Sequence, residues 1–174
     1  ELMAIADDFA LTIKGRGGHG ALPHRTVDPI LVTAQAIQGL QHIISRKVNP
    51  AEPALLSLGT IHGGTAQNII PDEVTLTGTV RCTSEQVKEE IIQAMHQTLS
   101  GITKAWGADY QLNYLNGYPP VVNDPGITAM IMDVVREEPG LTLAVMGKPL
   151  MIGEDFAYYG MHVPAGYFFL GCGS

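Results

Sequence analysis

The sequence predicts an α+β fold, a two-layer α/β sandwich in which four antiparallel strands carry two helices on one face. Three observations lead there. Two stripes at helical spacing separate four strand-like stretches in the order β-α-β-β-α-β. Residues 73–82 alternate, with Val74, Leu76, Val80 and Cys82 on one side and Thr75, Thr77, Thr79 and Arg81 on the other. The pattern closes at Asn116-Gly117-Tyr118-Pro119-Pro120, where the character of the chain changes.

Taken in order, residues 7–14 predict the first strand, with Phe9, Leu11 and Ile13 in alternation. Gly15-Arg16-Gly17-Gly18-His19-Gly20 then sets four glycines around one imidazole. Glycine tolerates positive φ and close backbone approach, so this stretch predicts a flexible, exposed loop that presents His19. Asp28-Pro29 reads as the N-cap and first residue of a helix over 29–47, with Ile30, Ala34, Ile37 and Ile44 near one face and Leu40 beside them. Asn49-Pro50 ends it. Residues 54–62 predict a second strand, and Gly63–Asn68 a loop that leads through Ile69-Ile70-Pro71 into the third, 73–82. Thr83 and Gln86 form a capping box ahead of a long stripe, Val87, Ile91, Met95, Leu99, Ile102 and Trp106. Gly107 stops that helix, and residues 108–115, with Tyr110, Leu112 and Tyr114, predict the fourth strand. This order is the split-βαβ, or ferredoxin-like, pattern. The threonines leave its second sheet face partly solvated.

Residues 1–116 thus read as one domain. Beyond it come a helical run near 124–137, a strand-like stretch over 141–145, a loop at Met151–Phe156 and a strand near 166–171. These pieces are short on core, so 117–174 reads as an incomplete α/β segment of a second domain. The start at Glu1 and the stop at Gly173-Ser174, just after an apparent core strand, look like cuts through a longer polypeptide.

Composition narrows the function classes. At 45% hydrophobic and 16% charged residues the chain is ordinary for a soluble globular protein. A net charge of −7 with ten scattered Lys and Arg argues against nucleic acid as the partner. No apolar run reaches membrane-spanning length, so no membrane partner is expected. Two cysteines, Cys82 and Cys172, make neither a disulfide framework nor a zinc finger, which points to the cytoplasm. Gly15–Gly20 matches the G-x-G-x-x-G string of dinucleotide loops, but that mechanism needs the last glycine to open a helix, and here Pro23 intervenes. No histidines stand at i, i+4, no Gly-x-Ser-x-Gly elbow is present, and Glu89-Glu90 and Glu137-Glu138 read as solvated helix charges.

What remains is a set near strand ends: His19, Asn68 and Arg81. An imidazole, a carboxamide and a guanidinium suit a carboxylate or a developing oxyanion, because the planar fork of arginine donates two parallel hydrogen bonds. The set holds no nucleophile. A non-catalytic ferredoxin-like module that binds a small anion or drives oligomerisation would explain the fold and Arg81 equally well.

Four motifs in order tip the balance. Gly17-Gly18-His19-Gly20-Ala21-Leu22-Pro23-His24 with Asp28-Pro29-Ile30, then Gly63–Pro71, then Gly78-Thr79-Val80-Arg81, then Gly153-Glu154-Asp155-Phe156-Ala157 resemble the M20 metallopeptidase and amidohydrolase family. The nearest branch contains N-acyl-amino-acid amidohydrolases, hippurate hydrolases and auxin-conjugate hydrolases. The resemblance implies the dimerising lid of a metal-dependent hydrolase, with part of its catalytic domain attached. It implies that His19 enters the partner subunit's active site and stabilises the oxyanion, that Asn68 and Arg81 bind substrate, with Arg81 on its carboxylate, and that Gly153 lines the pocket. The expected parent is a homodimer that cleaves N-acyl-amino acids with two divalent ions, of zinc, manganese, cobalt or nickel. The His-x-Asp segment and Glu-Glu ligand pair of the family have no counterpart here, so this chain alone is expected to bind no catalytic metal and to show no turnover.

Overall fold

A computed structural model describes residues 2–172. Strand β1 (Ile5–Lys14) leads to a two-residue strand β2 (Gly18–His19), a 3-10 turn at Pro23–Arg25 and helix α1 (Pro29–Arg46). Then follow β3 (Ala54–Gly63), the short β4 (Ile69–Ile70), β5 (Glu73–Cys82), α2 (Glu85–Trp106) and β6 (Asp109–Tyr118). The four long strands form one antiparallel sheet in the order β3-β5-β1-β6, the ferredoxin-like arrangement that the alternation predicts.

The core lies between this sheet and the two helices. From β1 come Phe9, Leu11 and Ile13; from β5, Val74, Leu76, Val80 and Cys82; from the helices, Val32, Ala36, Leu40, Ile43, Val87, Ile91, Met95 and Leu99. Each large apolar side chain buried here contributes about 1.5–3 kcal/mol. The other sheet face carries Thr75, Thr77 and Thr79 at partial or full exposure, as expected.

Several local expectations are corrected. The buried stripe of α1 runs through Pro29, Val32, Thr33, Ala36, Leu40 and Ile43, while Ile30 is half exposed. The sheet beneath α1 selects the residues that project down onto it, and several β-branched residues on both sides left the phase open to a shift. Ser84, not Thr83, caps α2 by accepting the Val87 amide at 3.2 Å, and Gln86 pairs with Glu90 instead of reaching back. Trp106 ends the stripe half exposed, its indole N–H on Gln35 at 2.8 Å. The first strand begins two residues earlier than expected, and the fourth continues to Tyr118.

Past β6, helix α3 (Pro125–Glu137) is capped by Asp124, and a single turn, α4, spans Ala157–Gly160. Residues 141–145 and 166–171 are not strands, because an extended segment becomes one only with a hydrogen-bonding neighbour. Phe168, Phe169 and Leu170 are accordingly exposed, not core. A second, small cluster joins Met3, Val121 and Ala157, with Phe156 and Tyr167 packed against it. Glu1 and Gly173-Ser174 lie outside the described residues.

Candidate functional site: two ends of one sheet

The His19 loop continues the β1–β5 ladder past its last pair, Lys14 with Glu73. The Gly15 amide reaches Asp72 O at 2.7 Å, the Gly17 amide reaches the Asp72 carboxylate at 2.8 Å, and β2 then pairs with β4, Gly18 opposite Ile70 and His19 opposite Ile69. Two-residue strands have no periodicity to read, so this ribbon was invisible in the sequence. Residues 18–24 are exposed, as expected, and of the two roles expected for the glycines only one is used. None of Gly15, Gly17, Gly18 or Gly20 has positive φ. Close approach is what excludes a side chain: a Cβ on Gly17 would sit 2.5 Å from Ile70 O. The ribbon brings Asn68 beside the histidine, since the Gly20 amide donates to Asn68 O at 2.8 Å.

At the other end of the sheet lie Arg81 and Gly153. Arg81 stands on β5, a central strand, with its side chain 22% exposed. Its Nη1 donates to Asp7 O and Val80 O, each at 2.9 Å, and to the Thr79 hydroxyl, and approaches the exposed Asp8 carboxylate at 3.9 Å. Directly across the register from Arg81 is Ala6. Gly153 packs on that alanine so closely that an added Cβ would lie 2.2 Å from the Ala6 Cβ. The Ala4 amide, shared between Leu150 O and Ile152 O at 3.0 and 3.1 Å, holds the segment there. Sequence reasoning gathers His19, Asn68 and Arg81 into one set. The fold divides them: His19 with Asn68, and Arg81 with Gly153. The eight residue steps from Glu73 to Arg81 alone separate the two pairs by roughly 26 Å at a strand rise of ~3.3 Å.

Asp7 is the side chain that sequence reasoning passed over. It is 1% exposed, on the core face in phase with Phe9, Leu11 and Ile13. That phase was the available signal. Its carboxylate accepts the Gly117 amide at 2.7 Å and the Tyr114 hydroxyl at 3.0 Å, with Lys88 Nζ at 3.9 Å. The Tyr158 hydroxyl in turn donates to Gly117 O at 2.8 Å. Gly117 is therefore gripped from the sheet on one side and from the following segment on the other. Burial, together with the charge and hydrogen bond of Asp7, pushes the Tyr114 hydroxyl far above the usual tyrosine range. Burial and the same carboxylate push the Cys82 thiol up to about 11.

Among the described residues, no three His, Cys, Asp or Glu side chains converge in a way that could hold a metal ion. A cleft of about 430 Å³ between Val122–Pro125 and Gly160–Ala165 touches none of the four candidate residues. No described helix is long and apolar enough to cross a membrane.

A ferredoxin-like sheet with a histidine ribbon at one end and an arginine at the other is a small α+β domain whose polar residues do not close a site by themselves. Residues 6–107 match the family model for the M20 peptidase dimerisation domain, and the chain belongs to that family. It is 38% identical over 170 residues to an N-acetyl-L-cysteine deacetylase of Bacillus subtilis (strain 168), covering 98% of this chain and 40% of the relative. It is 46% identical over 122 residues to an N-acyl-L-amino acid amidohydrolase of Geobacillus stearothermophilus, covering 70% and 33%. The crystal structure of the Bacillus subtilis YXEP protein, described as a dinuclear metal binding peptidase from the M20 family, superposes with a TM-score of 0.71 at 28% identity, covering 94% of this chain and 39% of that one. The chain thus spans less than half the length of these relatives.

Proposed function

We propose that this chain is the lid and an adjoining catalytic-domain segment, divided near residues 116–117, of a homodimeric amidohydrolase that cleaves N-acyl-amino acids or similar small amides. In this reading His19 and Asn68 of one copy complete the site that contains Arg81 and Gly153 of the other. The observation that carries it is the division of the four residues between opposite ends of one sheet. They meet at one substrate only if a second copy lends one pair. His19 donates to the developing oxyanion, Asn68 adds a carboxamide contact, and Arg81 exchanges backbone carbonyls for the substrate carboxylate. The relatives' names supply the amide chemistry, and the small exposed glycine loop suits a group that must reach beyond its own domain.

The dimer contact fits the free edge of the sheet. Strand β3 lies at one edge of the sheet, and Ile61 on it is 55% exposed. Among the described residues no His, Cys, Asp or Glu group fits a metal centre; this reading assigns the two divalent ions to other parts of the parent and expects no turnover from the chain alone. A cytoplasmic location is part of the same reading and rests on two unpaired thiols, Cys82 buried and Cys172 exposed.

Mixed dimers test the proposal in the full-length parent. At substrate far below the raised KM of the Arg81→Ala variant, His19→Ala and Arg81→Ala subunits should each show little activity alone. Equal mixing gives half heterodimers, each with one intact site of two, so about one quarter of wild-type activity returns. Absence of any recovery in verified heterodimers overturns the shared site. A full-length protein without acyl-amino-acid hydrolysis, but with retained small-anion binding, favours the binding module instead.

A further inference from the structure

The three amides that follow His19 are all spoken for, and one of them binds the histidine itself. The Gly20 amide goes across the ribbon to Asn68 O at 2.8 Å. The Leu22 amide closes a turn onto His19 O, also at 2.8 Å. Between them, the Ala21 amide donates to His19 Nδ1 at 3.1 Å. The turn at Leu22 and the ribbon at Gly20 hold the Ala21 peptide from both sides, so its N–H is fixed in direction before the ring arrives.

A backbone N–H can only donate. Nδ1 must therefore offer a lone pair, and a neutral imidazole carries its single ring proton on the other nitrogen. We infer that the Ala21 amide locks His19 as the neutral Nε2–H tautomer, which makes the group presented by this loop a hydrogen-bond donor and not a base. Placing the proton on Nδ1 would set N–H against N–H. Ala21 acts through its main chain alone and is a positioning residue. Resting on the shared-site reading above, the consequence is a division of labour. Nε2–H can stabilise a negative oxygen in the partner's site, and it has no lone pair with which to accept a proton from the attacking water.

The test uses this chain with ¹⁵N-labelled histidine, at about pH 8.5, where imidazoles are ordinarily neutral. Long-range ¹H–¹⁵N correlation reads the tautomer of each ring, and His19→Gln identifies the His19 signals by their loss. His42, on the exposed surface of α1, serves as an internal reference for an unrestrained ring. The expected result is a pure Nε2–H pattern for His19, with a wider separation of its two nitrogen shifts than in His42. Replacing Ala21 by lactate, which removes the N–H and keeps the chain length and methyl, should collapse that separation to the His42 value. A His19 ring indistinguishable from His42 in the unaltered chain, or a majority Nδ1–H pattern, overturns the inference, as does a separation that survives the lactate replacement. None of these readings needs activity. Failure of the mixed-dimer experiment with a pure Nε2–H pattern removes the shared site and leaves the tautomer standing, and the reverse outcome does the opposite.

Discussion

The two ends of the sheet are built from the same two strands and hold their polar groups by opposite means. At the loop end, main-chain hydrogen bonds fix the shape, residues 18–24 are exposed, and the His19 ring is hydrogen-bonded to its own turn. At the crossing end, a buried carboxylate, a tyrosine, a lysine and an arginine interlock around Asp7 and Gly117. The loop end can lose the His19 side chain at little cost to the fold. At the crossing end, the proposed substrate-binding arginine is tied into the same atoms that hold the fold.

The sharpest way to test that contrast is His19→Ala. In the full-length parent kcat should fall by ~10²–10³, the scale of losing one oxyanion donor, while the urea midpoint of the variant chain stays within about 0.5 kcal/mol of the original in stability. A marked loss of stability would show that the loop end carries structure after all. Asp7→Ala should do the reverse. It leaves the half-buried Tyr114 hydroxyl and Gly117 amide without their acceptor and Lys88 with only the exposed Glu85 as partner, so unfolding should become easier by about 2–3 kcal/mol. An unchanged denaturation midpoint would mean that the network at the crossing contributes no stability.

Alkaline titration gives a smaller effect with a definite sign. The folded thiol of Cys82 ionises near 11 against an ordinary 9.0. In that interval the unfolded chain releases its proton first, so stability is full below about pH 9 and falls as pH rises toward 11, by on the order of 2 kcal/mol. The raised Tyr114 hydroxyl acts in the same direction. Cys82→Ala should flatten this part of the stability curve, and an unaltered slope would remove the thiol from the account. Arg81→Ala, which frees hydrogen bonds to main-chain carbonyls, should cost about 1 kcal/mol in stability. Its larger signature in the parent is a raised KM with little change in kcat, the mark of a group that binds the ground state. A fall in kcat at constant KM would assign Arg81 to the transition state instead.

Much of this was legible in the chain because long elements repeat their signals. Ten-residue strands and helices of 18 and 22 residues give several periods of apolar spacing each, and their order alone yields the topology. Details that depend on a single contact were not legible. The phase of α1 turns on which face meets the sheet, and the choice of Ser84 over Thr83 turns on one hydroxyl. The stretches 141–145 and 166–171 have strand composition, but composition cannot supply a neighbouring strand. The same holds for the site. Motif order indicates His19, Asn68, Arg81 and Gly153, yet only the register, Ala6 opposite Arg81 and His19 opposite Ile69, reveals that they form two pairs. Asp7 announced itself by phase, and was masked by standing beside the exposed Asp8.

Strand β5 has a further role, as a measure of length. It joins the His19 ribbon to Arg81, and its ten residues set the interval between them; under the shared-site proposal this is the interval between the pair lent to the partner copy and the pair kept. Removing one residue would turn every following side chain to the opposite face. Removing two, in register with two from β1, would keep each face and the packing pattern but would draw the lent histidine back by about 7 Å. A chain shortened in this way would fold, pair its strands and bury its core, and still leave the neighbouring copy's substrate out of reach. Under the shared-site proposal, strand length is a distance specification between two copies, and selection can act on it even where the fold would tolerate a change.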